Sequence, residues 1–192
     1  MDASDLSAKN ILFLGYSKKE TCLHSILEDK GCLVDHTDEK NIVTSNIDLI
    51  ISFGYRYIIP KEVIINSCPI VNLHISLLPF NRGSHPNFWS HFDGTPSGVT
   101  IHLIDQGIDT GPYLFQKKID FDTKKITFKE SYQILINELE NLFIDNIDEI
   151  LSLNFTTEKC LEKGTYHSSR DLPKEVNWNN IIDDELKVLK EL

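Results

Sequence analysis

The alternation of apolar and polar positions divides the chain into short strands and helices. NILFLGY, Asn10–Tyr16, is an apolar run closed by a glycine, as expected for a strand covered on both faces. In KKETCLHSILEDKG the period changes: Cys22, Ile26 and Leu27 fall on one helical face, and Gly31 can cap the end. CLVDHT reads as a second strand and IDLIISFGY as a third, ended by Gly54. PKEVIIN reads as a short helix with Pro60 at its start, and PIVNLH as a fourth strand. A strand–helix alternation of this kind predicts a parallel, doubly wound sheet with helices on both faces.

Further along, Pro86–Phe92 reads as a helix. GVTIHLID alternates and is β-branched, and GPYLFQKKIDF pairs with it as an antiparallel partner across the loop QGIDT. From about Thr127 to Leu153, Ile134, Leu135, Leu139, Leu142, Phe143, Ile147 and Leu151 recur at helical spacing. The tail carries GTYHSSRDLP and then a helix from Trp178 or Asn180 onward, with DDELK on its solvated face. The whole reads as one domain over 1–192, with a core at about 10–153 and a C-terminal extension over 154–192.

The segment with unusual chemistry is NLHISLLPFNRGSHP, Asn72 to Pro86. In an open parallel sheet the ligand crevice lies beyond the carboxyl ends of the strands. Here one such end carries Asn72 and His74, two apart and so on one face. An amide can donate a hydrogen bond to an oxygen that is gaining negative charge, and an imidazole can take and return a proton. The loop DQGIDTGP offers Asp105 and Asp109 as carboxylates to orient the ring, Asp109 being followed by a rigid Thr-Gly-Pro turn. No GxSxG elbow is present. An amide, a histidine and an aspartate without a serine or cysteine nucleophile point to direct acyl transfer.

Composition narrows the partners. The 192 residues are 41% hydrophobic and 25% charged, with a net charge of −10. That charge argues against a broad nucleic-acid surface but leaves room for a small anion held by a few local cations. No apolar run is long enough to span a membrane, and the polar, acidic start MDASDLSAKN lacks a signal-peptide pattern, so a cytoplasmic location is expected. Cys22, Cys32, Cys68 and Cys160 have no paired spacing, and no metal site is expected.

NLHISLLPFNRGSHP followed by GVTIHLIDQGIDTGPYLFQ resembles the 10-formyltetrahydrofolate-dependent formyltransferases. IDLIISFGYRYIIPKEVI is also similar to that family's preceding segment, so the resemblance runs from about Ile47 to Asp120. It implies a Rossmann-like formyltransferase fold and a formyl group taken from 10-formyltetrahydrofolate. It further implies that Asn72 stabilises the oxyanion, His74 is the acid/base, and Asp109 orients it. Folate would be held largely by backbone, from Tyr57, Ile58 and Ile59 on one side and Asp105, Gln106, Gly107 and Ile108 on the other.

For the acceptor, the expected class is a nucleotide-linked amino-deoxysugar of surface-glycan synthesis, a 4-amino-4,6-dideoxy sugar. NRGSHPNFW and GTYHSSRDLP resemble the sugar N-formyltransferases, including those of pseudaminic-type acid pathways. Arg82, His85 and Asn87 would line the acceptor side, with Tyr166, His167 and Arg170 added from the tail. Trp89 or Trp178 would stack on a base. Methionyl-tRNA formyltransferases carry a further tRNA domain, and the acidic composition opposes a tRNA acceptor. Glycinamide ribonucleotide transformylase is the alternative, although LFLGYSKKE lacks its Gly-rich phosphate loop and leaves only Ser17 and Lys18 for a phosphate. A non-catalytic folate or nucleotide-sugar binding module is the other alternative. A homodimer is compatible with the sequence, which does not require one.

Each assignment has a plainer reading beside it. Asn72 and His74 could simply end a strand in polar bonds, and Asp105 and Asp109 could be turn carboxylates. Arg82 could be a surface residue, and His85 the start of a helix. His102 reads as a buried cross-strand histidine, His24, His36 and His91 as packing or surface residues, and Phe88, Trp89 and Phe92 as core.

Overall fold

The computed structural model describes residues 8–158 and 163–191. Cys160 and residues 1–7 of the N-terminal segment lie outside them. Six strands form one mixed sheet in the order β2-β1-β3-β4-β6-β7. They are β1 (Asn10–Gly15), β2 (Leu33–Thr37), β3 (Leu49–Phe53), β4 (Ile70–His74), β6 (Gly98–Leu103) and β7 (Tyr113–Lys118). The ladders β1–β2, β1–β3 and β3–β4 are parallel. β6 is antiparallel to both β4 and β7, so the sheet reverses direction beside the strand that carries Asn72 and His74.

Side-chain alternation divides the core between the two faces of the sheet. Ile11, Phe13, Leu49, Ile51, Phe53, Val71 and Leu73 pack beneath α1 (Leu23–Asp29) and α4 (Phe128–Asp145). Leu12, Leu14, Ile50 and Ile70 face the other way, toward Val63 and Ile64 of α2 (Lys61–Asn66). Helices thus cover both faces, as the strand–helix alternation implied. A third cluster joins α3 (Pro86–Phe92), the start of α4 and α6 (Ile182–Lys190) through Phe88, Trp89, Phe128, Ile182 and Leu189.

Several expectations about helix faces are corrected. α1 buries Leu23, His24 and Leu27, while Cys22 precedes the helix and is exposed. Ile134 is 38% exposed on the outer side of α4. The long helical stretch breaks at Asn146, after which α5 spans Ile147–Ser152. In α6, Glu185 does not face water: it is 5% exposed and accepts hydrogen bonds from Asn177 N and the Asn180 amide at 2.8 and 3.1 Å. Two donors from one loop replace the water that a carboxylate otherwise requires.

The tail returns beside the segment that follows β4. β8 (Tyr166–His167) pairs in parallel with β5 (Arg82–Gly83). Among the described residues no helix is long and apolar enough to cross a membrane, and no cluster of three or more His, Cys, Asp and Glu could hold a metal ion.

α4 opens with a reciprocal capping box. Thr127 Oγ1 accepts from Glu130 N at 3.1 Å, and Glu130 Oε2 accepts from Thr127 N at 2.9 Å. Thr127→Ala leaves that first turn unsatisfied and should cost about 1 kcal/mol, lowering Tm by roughly 2–4 °C in a calorimetric scan.

Candidate active site

Asn72 and His74 alternate with Val71 and Leu73, whose side chains fill the α1/α4 core. The amide and the imidazole therefore project from the opposite face of β4. Across the antiparallel ladder, Asn72 lies directly opposite His102 and His74 opposite Thr100. Four polar side chains from two central strands so occupy one small patch of sheet.

Asp109 reaches this patch from the β6–β7 loop. Its backbone is left-handed, at φ +50°, a conformation that an aspartate tolerates better than most residues. Gly111 folds the loop back on itself: a Cβ there would lie 1.7 Å from Leu103 O. Asp105 braces the same loop, its Oδ1 accepting from Gly107 N at 2.9 Å and Thr110 Oγ1 at 2.6 Å.

The Asp109 carboxylate is the meeting point. Oδ2 accepts from Gly83 N at 2.8 Å and lies 3.8 Å from His74 Nε2. Oδ1 is 3.5 Å from Asn72 Nδ2 and 3.6 Å from His102 Nε2. Gly83 can approach because it lacks a side chain. At φ +89°, its Cβ would come within 2.3 Å of His167 O.

His102 is a functional candidate that the sequence analysis assigned to packing. Its Nδ1 is 2.8 Å from Leu103 O, which can only accept, so Nδ1 carries a proton. The Nε2 of the neutral ring then accepts from Asn72 Nδ2 at 3.1 Å. This bond fixes which way the Asn72 amide points, with its NH2 toward His102 and Asp109. The sequence signal was the β4–β6 pairing register, which becomes visible only once the two strands are adjacent.

Burial pushes the His74 imidazole below its ordinary value of 6.5, against the upward pull of Asp109. Burial alone would raise the Asp109 carboxyl. His74 and the Gly83 N–H pull the other way and hold the carboxyl far below its usual range. The pair at neutral pH is accordingly an aspartate beside a neutral imidazole, poised to gain one proton.

The site opens into a cleft of about 750 Å³. Tyr57, Ile58 and Ile59 line one side of it and Asp105, Gln106, Gly107 and Ile108 the other, so all seven residues expected around folate border the same space. Ile58 is 80% exposed at the rim. Tyr16, Arg56, Tyr132, Ser168 and Ser169 also line the cleft and had not been singled out. The Tyr16 and Tyr132 hydroxyls are 2.7 Å apart across 116 positions of sequence.

The acceptor residues are distributed differently from expectation. Tyr166 lines the cleft. Arg82 is not part of the lining and its Nε donates to Thr165 O at 3.4 Å. Asn87 is 5% exposed, its Nδ2 donating to Phe128 O and its Oδ1 accepting from Ser131 Oγ, so the amide is spent in the core. His167 stacks on Trp89 at 3.8 Å and pairs with Asp93 at 2.8 Å, which removes both rings from ligand contact. Arg170 is exposed outside the cleft lining. His85 is exposed and faces Trp178. Ser17 and Lys18 turn to Glu20 and Glu28 and stay out of the lining.

In an NMR titration the His74 ring should titrate below 6.5, and Asp109→Asn should lower it further, because the carboxylate is the main influence raising it. Burying this ring neutral stabilises the fold above pH 6.5, and that contribution fades as pH falls toward the depressed value. A His74 that titrates above 6.5 would contradict this electrostatic account.

A sequence profile described as formyl transferase matches residues 14–146. Methionyl-tRNA formyltransferase from Clostridium acetobutylicum is 35% identical over 138 residues, 69% of this chain and 44% of that protein. The corresponding enzyme of Thermodesulfovibrio yellowstonii is 34% identical over 146 residues, 73% of this chain and 46% of its own length. The chain thus spans less than half the length of these curated relatives. The formyltransferase PseJ of Anoxybacillus kamchatkensis, solved with UDP-4,6-dideoxy-4-formamido-L-AltNAc and tetrahydrofolate, is 32% identical with a TM-score of 0.83. That match covers 92% of this chain and 97% of PseJ. A 4-N formyltransferase from Francisella tularensis superposes with a TM-score of 0.75 at 25% identity, over 91% of this chain and 86% of its own. By the extent of the profile match and these identities, the chain belongs to the formyl transferase family.

Proposed function

We propose that this protein transfers a formyl group from 10-formyltetrahydrofolate to the amino group of a nucleotide-linked amino-deoxysugar. The observation that carries this reading is the near end-to-end match to PseJ, at 32% identity over 97% of that chain. The formamido sugar in that complex corresponds to a 4-amino-4,6-dideoxy acceptor, which favours the same class here, of the pseudaminic type.

The chemistry follows from the patch around Asp109. The sugar amine attacks the formyl carbon, and the carbonyl electrons move onto oxygen. The Asn72 amide, oriented by His102, donates a hydrogen bond to that oxyanion. Neutral His74 takes the proton released by the attacking nitrogen, and the ionised Asp109 stabilises the resulting imidazolium. Collapse of the tetrahedral intermediate breaks the bond to N10 of the folate, and the proton passes to N10. No covalent enzyme intermediate is needed for this transfer. The pterin would be gripped by backbone from 57–59 and 105–108, whose side chains are mostly turned to solvent.

The methionyl-tRNA formyltransferases among the relatives support a second reading, with an aminoacyl-tRNA acceptor. The two separate in one assay. Release of tetrahydrofolate is followed with UDP- and dTDP-4-amino-4,6-dideoxy sugars, glycinamide ribonucleotide and methionyl-tRNA as acceptors. Turnover with an amino sugar alone is the expected outcome, and turnover only with methionyl-tRNA or glycinamide ribonucleotide would refute the sugar reading. Asn72→Ala and His74→Ala should each lower kcat by on the order of 100-fold or more while folate still binds. A binding module would lose nothing that matters to it. His102→Leu should lower kcat by roughly tenfold, since it frees the Asn72 amide to rotate.

A further inference from the structure

Asn81 takes no part in the reaction as derived above, yet its backbone and side-chain polar groups are all engaged. The residue is fully buried and sits in the left-handed region at φ +55°, which asparagine tolerates better than most side chains. Its Nδ2 donates to Thr95 Oγ1 at 2.8 Å. Its Oδ1 accepts from Thr165 Oγ1 at 3.1 Å, and Thr165 Oγ1 in turn accepts from Asn81 N at 2.7 Å. Thr165 stands in the C-terminal extension, 84 positions along the chain, and Thr95 in the loop between α3 and β6. Two hydroxyls from distant segments thus clamp one residue.

The carbonyl that this clamp fixes is 3.4 Å from His74 Nε2. Two positions on, Gly83 N donates to Asp109 Oδ2 at 2.8 Å, and that oxygen is 3.8 Å from the same Nε2. The segment 81–83 therefore offers an acceptor to the imidazole and a donor to the carboxylate.

His74 Nε2 faces two oxygens, one a carbonyl that can only accept and the other an ionised carboxylate. A neutral imidazole carries one N–H, and that proton belongs on Nε2 here. Nδ1 is then the basic nitrogen, on a ring that lines the cleft. The opposite tautomer would set a lone pair against both oxygens and block Nδ1 with a proton of its own.

We propose that Asn81 is a positioning residue for the acid/base step: clamped by Thr95 and Thr165, its carbonyl keeps His74 in the tautomer whose Nδ1 accepts the proton of the attacking amine. In that step an N–H bond of the amine breaks and its electron pair stays on the amine nitrogen. The proton joins Nδ1, and the Nε2–H of the resulting imidazolium faces carbonyl and carboxylate. The assignment rests on the formyl-transfer reading above, whatever the acceptor amine. It adds to that reading a residue that acts through His74, and it ties the C-terminal extension to the chemistry.

Nitrogen chemical shifts of the histidines report the tautomer with no acceptor present. In the parent chain, above its titration point, His74 should show a protonated Nε2 and a bare Nδ1. Thr165→Val removes the clamping hydroxyl with little change in side-chain size, and Asn81→Gly keeps φ +55° accessible while removing the clamped amide. Each should mix the two tautomers and lower kcat roughly tenfold, with KM for 10-formyltetrahydrofolate within about twofold of the parent. Burial, the largest influence on the ring, holds it below 6.5, while Asp109 and the Asn81 carbonyl raise it, so the variants should titrate lower still. Asp109 and His102 are the titratable groups that face the ring, and every variant keeps both. Thr165→Ser, which retains the hydroxyl, should restore tautomer and kcat. Unchanged folinic acid binding reports that each variant is folded. A proton on Nδ1 in the parent chain, or a Thr165→Val variant with unchanged tautomer and kcat, overturns the proposal and leaves formyl transfer standing. If the parent chain turns over no acceptor amine, both fall together.

Discussion

A mostly buried carboxylate organises one end of the sheet. Asp109 touches, through its two oxygens, a strand residue on β4, another on β6, the β4–α3 loop at Gly83 and the imidazole of His74. The partners come from three separate stretches of chain, β4, β6 and the segment at Gly83, so the carboxylate holds its place only when all of them have arrived. Burying an ion without such company would cost several kcal/mol. The N–H of Gly83 and the amide of Asn72 supply donors to it, and His74 lies beside them.

This arrangement depends on two backbone features. The sheet changes direction at β4, so that β6 runs back alongside it and brings His102 opposite Asn72. A parallel neighbour would have been offset and slanted in its bonding. The tail then threads beside the loop after β4, where Gly83 leaves no room between strands for even a methyl group. Thr165 Oγ1 accepts from Asn81 N at 2.7 Å in the same place, so the C-terminal segment buttresses the loop that presents Gly83. A segment that reads as an appendage is part of the support of the site.

The strands, the helix at Pro86–Phe92, the β6–β7 pair and the identity of Asn72, His74 and Asp109 were legible in the sequence. Short apolar runs and two-residue alternation are local signals, and the two motifs carry the amide, imidazole and carboxylate that the fold brings together. The flanks of the acceptor side were not legible. Arg82, Asn87 and His167 have the chemistry of ligand-binding residues, but Thr165, Phe128 and Trp89 respectively take up their polar or aromatic surface. Glu185 was misjudged for the same reason: an acidic run looks solvated until a neighbouring loop offers it donors.

What the sequence by itself determined is which residues face the same way along each strand and which side chains have the chemistry for acyl transfer, because both follow from backbone periodicity and side-chain type. Only the tertiary structure decided what each of those side chains spends its bonding capacity on. Asn72 is oriented by His102 across 30 positions of sequence, Tyr16 meets Tyr132 across 116, and the Trp178 ring faces His85. Contacts of that separation depend on strand order and register, which arise from burying the two apolar faces of the sheet at once and are not encoded in any local window of the chain.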